Sequence, residues 1–587
     1  MTGRMTRRSF LKASTTAGAA GALAAGGTLA SAGTAMAGGG GGHDVPPFGF
    51  EEATIAELQA AMTAGRLSSR RLTRAYLRRI RQIDLSGIKL NSVIEVNPGA
   101  LEIARELDAE RRQGKVRGPL HGIPILVKDN FATRDKMETT AGSLALLGAE
   151  VPRDAFVIRR LRRAGAVILG KTNLSEWANF RSTQSSSGWS GRAGQCLSPY
   201  VLDHNPCGSS SGSGAAAAAN LAAGALGTET DGSIVCPSSH NALVGIKPTL
   251  GLTSRSGVVP IAHSQDVTGP MCRTVADAAT VLGAMTGVDP RDPATADSRG
   301  HLHHDYRRFL DPNGLRGARI GVWREGVFGA SPEADAIAEA AIADLSRLGA
   351  TVVDPTDIPD MDQVGDPEFT VLLCEFKDDI AAYLSELRHT DMRTLADLIA
   401  FNEANADREL RWFGQEIFLQ SEATGGTADP AYADALATSK RLAQNGIDQT
   451  MDRHNLDAIF SLTASPPWTT DLVNGDHFLT GSSTPAAVAG YPNITVPAGF
   501  SFGELPVGVN FIGRRWSEPT LIKLAYGFEQ GTNARHAPRF VPSLGVKEFL
   551  PRDTNARTRS GGAADHRKAR NRPGSKTAKG RQKVTGL

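Results

Sequence analysis

"DAFVIRRLRRAGAVILGKTN", residues 154–173, sets Phe156, Val157, Ile158 and Leu161 at helical spacing among arginines. It then turns at Gly165 into the apolar run Val167, Ile168, Leu169. A period near 3.6 followed by a short apolar run predicts a helix, a glycine turn and a buried strand. The same grammar recurs on both sides. Upstream, "GIPILVKDN" (122–130) reads as a buried strand entering a polar turn at Lys128, and residues 51–84 read as two amphipathic helices broken near Gly65. Downstream, "GARIGVWRE" (317–325), "ADAIAEAAIADLSRLGATVVD" (334–354) and "LDAIFSLTAS" (456–465) repeat it. Alternating strands and helices predict an α/β fold, with a central mixed sheet covered by helices on both faces. "GSGAAAAANLAAGAL" (212–226) is too alanine-rich for a linker and reads as a tightly packed helix.

The composition bounds the rest. The chain has 587 residues, 41% hydrophobic and 21% charged, with a net charge of only +3. That suits a globular protein and excludes a general polyanion binder, so no specific nucleic acid partner is expected. The ends differ from the middle. "MTRRSFLKAS" (5–14) places Arg7 and Arg8 before Phe10 and Leu11, and a mild apolar run then ends at Ala35-Met36-Ala37. This resembles a twin-arginine export signal over residues 1–37, implying the export machinery as a partner and a periplasmic or extracellular location. "GGGGGH" opens a flexible lead, residues 38–50. Residues 551–587 are rich in Arg and Lys and nearly devoid of large apolar side chains, so a disordered tail is expected. Contact of that tail with an anionic surface is the alternative to a merely solvated one. Between them, residues 51–550 read as one catalytic domain, with 297–451 a more variable, helix-rich insertion. The five cysteines show no CxxC and no histidine-rich metal spacing, so no zinc site is expected. One pair is possible among them.

Ser233, in "GTETDGSIVCP" (227–237), stands without a nearby histidine and outside any G-x-S-x-G elbow. His121 precedes a buried strand and reads as a packed structural residue. Two other features compete to serve the serine. "NPCGSSSGSGAAAA" (205–218) leads Ser209, Ser210 and Ser211 into a helix N-terminus, where backbone N–H groups favour negative charge. Lys128 ends an apolar strand, where burial disfavours the ammonium and leaves a neutral amine as a possible base.

Taken together, these segments and "GIKPTLGLTSRSGVVP" (245–260) resemble the amidase signature family in order and spacing. So do "SQDVTGPMCRTVADAA" (264–279), "GSSTPAAVAGYPNITVPAGF" (481–500) and "PVGVNFIGRRWSEPTLIKLAYGFE" (506–529). The resemblance implies an amidase-signature fold and a Ser-Ser-Lys triad, whose chemistry needs no metal or organic cofactor. Ser233 aligns with the nucleophile, Lys128 with the base, and Ser209 with the bridging serine that the family holds on a cis peptide bond. It further implies an oxyanion loop at Thr230, Asp231, Gly232 and Ser233, and a supporting hydrogen bond from Ser210. Where many members carry Asp, Gly and Arg, this chain has Glu229, Asp231 and Val235. That variant, with "LCEFKDDIAAYL" (373–384), resembles the peptide amidase branch, which removes the C-terminal carboxamide of peptides. The expected function is therefore an exported hydrolase of a small-molecule or peptide amide, acting through an acyl-serine. Alternatives are a general aliphatic or aryl amidase or esterase, a glutamine-dependent transamidation subunit, and an inactive binding protein.

Overall fold

Residues 43 and 45–545 are described by the computed structural model of the chain. The expected export signal, the first part of the lead and the basic tail lie outside the described residues. The chain divides into Met1–Ser543 and Leu544–Leu587, and the fold is that of the first unit.

The chain enters through two capped helices, α1 (Ile55–Thr63) and α2 (Ser69–Arg79), separated by Gly65 at φ 70°. Thr54 and Glu57 close a reciprocal capping box on α1, and Ser68 caps α2. Strand β1 (Val93–Val96), helix α3 (Ala100–Arg112), strand β2 (Pro124–Lys128), helix α4 (Phe156–Arg163) and strand β3 (Val167–Thr172) follow. The helix and strand of the 154–173 stretch thus form where its periodicity places them. Gly165 joins them at φ 85°, and a Cβ there would lie 2.9 Å from the His121 backbone. His121 is buried, its ring Nε2 2.9 Å from the Leu107 carbonyl oxygen.

A short hairpin, β4 (Trp189–Ser190) with β5 (Gly194–Gln195), precedes helix α5 (Ser211–Ala218) and strand β6 (Gly224–Glu229). The alanine-rich run is therefore not one helix. It stops at Ala218, turns through Asn220 at φ 60°, and resumes as a strand from Gly224. Every residue of α5 is buried. Gly212 fits there because a Cβ would lie 2.7 Å from the Asn173 backbone nitrogen. Helix α6 (Val235–Ser239), β7 (Val244–Lys247), β8 (Val267–Cys272) and α7 (Val275–Met285) complete this half.

The second half supplies β9 (Arg319–Val322), α8 (Pro332–Arg347), β10 (Thr351–Val353) and the long helix α9 (Gly365–Glu386). Further helices are α10 (Leu395–Ala404), α11 (Ala406–Glu409), α12 (Glu416–Glu422) and α13 (Tyr432–His454). Then come β11 (Ala458–Leu462), α14 (Thr484–Ala489), β12 (Asn493–Ser501), β13 (Leu505–Ile512) and α15 (Glu518–Thr532). Residues 297–451 thus carry helices but also two strands. Their apolar, β-branched runs begin just past Gly317 and Gly349, both at positive φ, and pair in parallel to extend the sheet.

Eleven strands make one sheet in the order β1-β3-β2-β6-β8-β7-β12-β13-β11-β9-β10. It is mixed: β2 pairs in parallel with β3 and β6, whereas β8 pairs antiparallel with β6 and β7. Strands β2, β3, β6, β8, β11 and β13 are buried at every residue. Successive side chains point to opposite faces, so full burial means that helices cover both. Among the described residues no helix is long and apolar enough to cross a membrane.

Candidate active site

Parallel pairing of β2 with β6 brings the carboxyl ends of both strands to one place. Lys128 closes β2 and is fully buried. Its Nζ donates to Thr228 Oγ1 at 2.9 Å and to the Thr228 carbonyl at 3.4 Å, and lies 2.8 Å from Ser209 Oγ. Burial pulls its pKa down from 10.5 to about 7, against the carboxylates of Asp266 and Glu229, which favour the ammonium. Desolvation therefore outweighs two opposite charges. A neutral amine has two N–H bonds and one lone pair. The ammonium donates to Ser209 Oγ and to both Thr228 oxygens; the neutral amine, keeping its N–H bonds on Thr228, can instead accept the proton of Ser209.

Ser209 is fully buried and follows a cis Gly208–Ser209 peptide bond. Its carbonyl accepts from the Ser175 N–H at 3.1 Å. Ser210 does not bond the other serines through its hydroxyl. Its Oγ donates to the Thr228 carbonyl at 3.1 Å, and its backbone N–H donates to the Ser233 carbonyl at 3.3 Å. Ser210 thus secures the end of β6 to the start of α5, which holds Thr228 against Lys128. Asn130 Nδ2 donates to Thr228 Oγ1 at 2.9 Å from the other side.

Ser233 retains 8% of its surface, while Lys128 and Ser209 retain none, so solvent reaches the constellation through Ser233. It sits on the turn between β6 and α6. Gly232, at φ 83°, permits the reversal. The N–H groups of Thr230, Gly232 and Ser233 donate to no other group among the described residues. Carboxylates pin the turn at both ends. Glu229 Oε2 accepts the N–H groups of Ile234 and Val235 at 2.7 and 2.9 Å. Asp266 Oδ1 accepts the Thr230 hydroxyl at 2.6 Å, and its Oδ2 accepts the Ile261 N–H at 2.8 Å. Burial raises Glu229 above the usual carboxylate range and pushes Asp266 up to about 6. Asp231 turns its carboxylate away to accept Ser483 Oγ at 2.5 Å and Thr484 Oγ1 at 2.8 Å, at the start of α14.

Such an arrangement can generate an alkoxide at an accessible serine, relay its proton through a second serine to a neutral lysine, and hold an oxyanion with backbone N–H groups. The motifs singled out Lys128, Ser209, Ser210 and residues 230–233, and the fold gathers them around one turn. Sequence reasoning passed over Thr228, Asn130 and Asp266. All three stand inside the quoted motifs, but only the fold shows which way their side chains face.

Cys207 and Cys236 form a disulfide, while Cys196, Cys272 and Cys374 are free and buried. The bridge occupies two of the three potential ligands of a cluster with His240. In the other cluster, His263, Glu375 and Asp379 lie within 4.8 Å of one another. There Glu375 already accepts the Ser264 N–H and the Tyr432 hydroxyl, at 2.9 and 2.7 Å. Asp379 accepts the His263 N–H at 2.8 Å.

The family model described as Amidase matches residues 71–522. A probable amidase of Arabidopsis thaliana is 44% identical over 502 residues, covering 84% of this chain and 93% of that protein. A glutamyl-tRNA(Gln) amidotransferase subunit of Myxococcus xanthus is 35% identical over 492 residues, 81% of this chain and 96% of that one. Among solved structures, the native peptide amidase of Stenotrophomonas maltophilia superposes with a TM-score of 0.81 at 52% identity, covering 84% of this chain and all of that chain.

Proposed function

This chain belongs to the amidase family, and we propose that it is an exported enzyme that removes the C-terminal carboxamide of peptides. As a family member it hydrolyses amides. The observation that carries the mechanism is the buried Lys128 Nζ, 2.8 Å from Ser209 Oγ and with its pKa brought down to about 7.

Ser233 Oγ attacks the carboxamide carbon while its proton passes to Ser209 and that of Ser209 to neutral Lys128. The carbonyl electron pair moves onto oxygen, where the N–H groups of the 230–233 turn receive it. Donors of this kind are worth about 2.7–4 kcal/mol each. Collapse breaks the C–N bond, and the relay returns the proton to nitrogen, so ammonia leaves an acyl-Ser233. Water, deprotonated along the same relay, cleaves the ester to the carboxylate and restores Ser233.

Two observations support a peptide substrate: the 52% identity to a peptide amidase, and the position of α9, which carries "LCEFKDDIAAYL". Gln265 Nε2 donates both to the Thr230 carbonyl at 3.3 Å and to Glu368 Oε1 of α9 at 3.1 Å. The helix that marks the branch therefore abuts the proposed oxyanion turn. Likeness to the transamidation enzyme favours a second reading, glutamine hydrolysis within a partner complex. Hydrolysis of a peptide amide by the isolated chain separates the two.

The test compares an amidated dipeptide, acetamide, an aryl amide and glutamine by ammonia release, with mass spectrometry of the peptide product. The dipeptide amide should be preferred. In Ser233→Ala the rate should fall at least about 10³-fold with the fold retained. Near-wild-type turnover by that variant rejects the nucleophile. Export rests on the Arg7-Arg8 signal and is compatible with a disulfide in the mature domain. Arg7→Lys/Arg8→Lys should retain the protein inside the cell, and unchanged export would reject a twin-arginine route.

A further inference from the structure

Both serines lie inside the loop that one disulfide closes. Cys207 stands two residues before Ser209 and Cys236 three residues after Ser233, at a separation of 29 residues. The enclosed segment is α5, β6 and the 230–233 turn. At one end Cys207, at φ 58°, starts the sharp bend into Gly208 and Ser209. At the other, the Cys236 N–H donates to the Gly232 carbonyl at 2.8 Å, so the sulfur is tied through one residue to the turn itself.

Hydrogen bonds also hold these two ends together, but the bridge is the one covalent link between them among the described residues. The Ser210 N–H reaches the Ser233 carbonyl at 3.3 Å, the Asn241 amide donates to the Pro206 and Pro237 carbonyls at 3.0 and 2.7 Å, and His240 Nδ1 lies 3.4 Å from the Asn205 carbonyl oxygen. Against the bridge pack Ala464, Trp468 and Phe478, a small apolar cluster separate from the main core. The Lys128 end of the relay has no such dependence, because β2 is fixed by β3 and β6.

We propose that the Cys207–Cys236 disulfide is a positioning element for the proton relay, holding Ser209 against Ser233, so that full turnover belongs to the oxidised enzyme. The inference rests on the reading of these serines as bridge and nucleophile. A dithiol reductant severs the link in two steps. Its thiolate attacks one sulfur to give a mixed disulfide, and its second thiol then releases the protein thiol, so two electrons and two protons enter the protein and the reductant leaves as a cyclic disulfide. Both cysteines are nearly buried, 5% and 6% exposed, so reduction is carried out with excess dithiol and followed by mass. Once severed, the Cys207 bend and the Gly232 turn are free to drift, and a shift of about 1 Å at a relay costs about 100-fold in rate.

The experiment measures kcat and KM for an N-acetylated dipeptide amide on three samples at a temperature where all are folded by circular dichroism. These are the oxidised enzyme, the enzyme treated with dithiothreitol, and Cys207→Ala/Cys236→Ala. Reduced and double-variant enzymes should lose about ten- to a hundredfold in kcat with KM within about twofold, and reoxidation should restore the reduced sample only. An unchanged kcat in a sample shown by mass to carry both free thiols overturns the inference. So does a rise in KM alone, or a loss that appears only when the protein melts. If the double variant does not fold, the reduced wild type decides. The underlying reading fails separately, through an active oxidised Ser233→Ala.

Discussion

Acid should switch the relay off through Lys128. Its pKa is about 7, so it is about half neutral near pH 7, about a tenth neutral near pH 6 and about a hundredth near pH 5. Only the neutral form can accept the proton of Ser209, so kcat/KM should rise with pH and level off above about pH 8. The assay is ammonia release from an N-acetylated dipeptide amide, which has no group of its own titrating in this range. Two variants sharpen the test. In Lys128→Arg the guanidinium stays charged at every usable pH, so activity should be lost throughout, by about 10²–10⁴-fold. In Asp266→Asn one of the two carboxylates that favour the ammonium is gone, so the acid limb should move to lower pH. The stability consequence has a fixed sign. Folded Lys128 holds its proton less tightly than the unfolded chain, for which 10.5 is the ordinary value. Folding stability contributed by this group therefore rises from about pH 7 to about pH 10.5, and below that window burial costs several kcal/mol, at about 1.4 kcal/mol per unit. Lys128→Met should lack that slope in urea titrations compared with wild type. A rate that is flat from pH 5 to 8, or that peaks in acid, would refute a neutral lysine base.

Glu229→Ala should leave the buried N–H groups of Ile234 and Val235 without an acceptor and destabilise the fold by about 1–3 kcal/mol each, read as a lowered midpoint in urea. Glu229→Gln keeps an acceptor and should retain the fold while moving the acid limb of kcat/KM downward, because a charge beside Lys128 is removed. Gly212→Ala drives a methyl into the backbone of Ser92 and Asn173 and should cost about 1–3 kcal/mol or more of stability, measured by thermal melting. Arg181 is fully buried, pairs with Glu176 at 3.3 Å and lies over Phe413. Arg181→Met should cost about 3–5 kcal/mol in urea because it strands the adjoining carboxyls of Glu176 and Glu409.

Local pattern carried most of the fold's elements. The 51–84 helices, β2, the 154–173 helix and strand, β9 and β11 all fall where periodicity places them. It failed at β6, because alanine and glycine hide a strand inside a helix-like composition and only the left-handed Asn220 divides the two. Pairings distant in sequence were not legible. Asp231 meets Ser483 and Thr484 across about half the chain, and nothing in the spacing of five cysteines selects Cys207 with Cys236. The candidate site was read from motif order, which names Lys128, Ser209 and Ser233. It cannot show that Thr228 and Ser209 both lie within hydrogen-bond reach of the lysine, which depends on the pairing of β2 with β6.

In the proposed relay, the two carboxylates around the turn account for a lysine in the place of a histidine. A lysine left in water would hold its proton at neutral pH and could not serve as a base. A lysine buried alone would lose it so readily that it would be a weak one. Here Glu229 and Asp266 oppose desolvation and leave the pKa near 7, where a base accepts a proton and returns it with comparable ease. The same carboxylates fix the geometry of the turn, Glu229 just beyond Ser233 and Asp266 through Thr230. Proton affinity and oxyanion placement therefore depend on shared atoms. A substitution at either acid should change the pH profile and the plateau rate together. Asp231 instead bonds outward to Ser483 and Thr484 at the start of α14, so Asp231→Asn should act mainly on the plateau and leave the acid limb near its wild-type position.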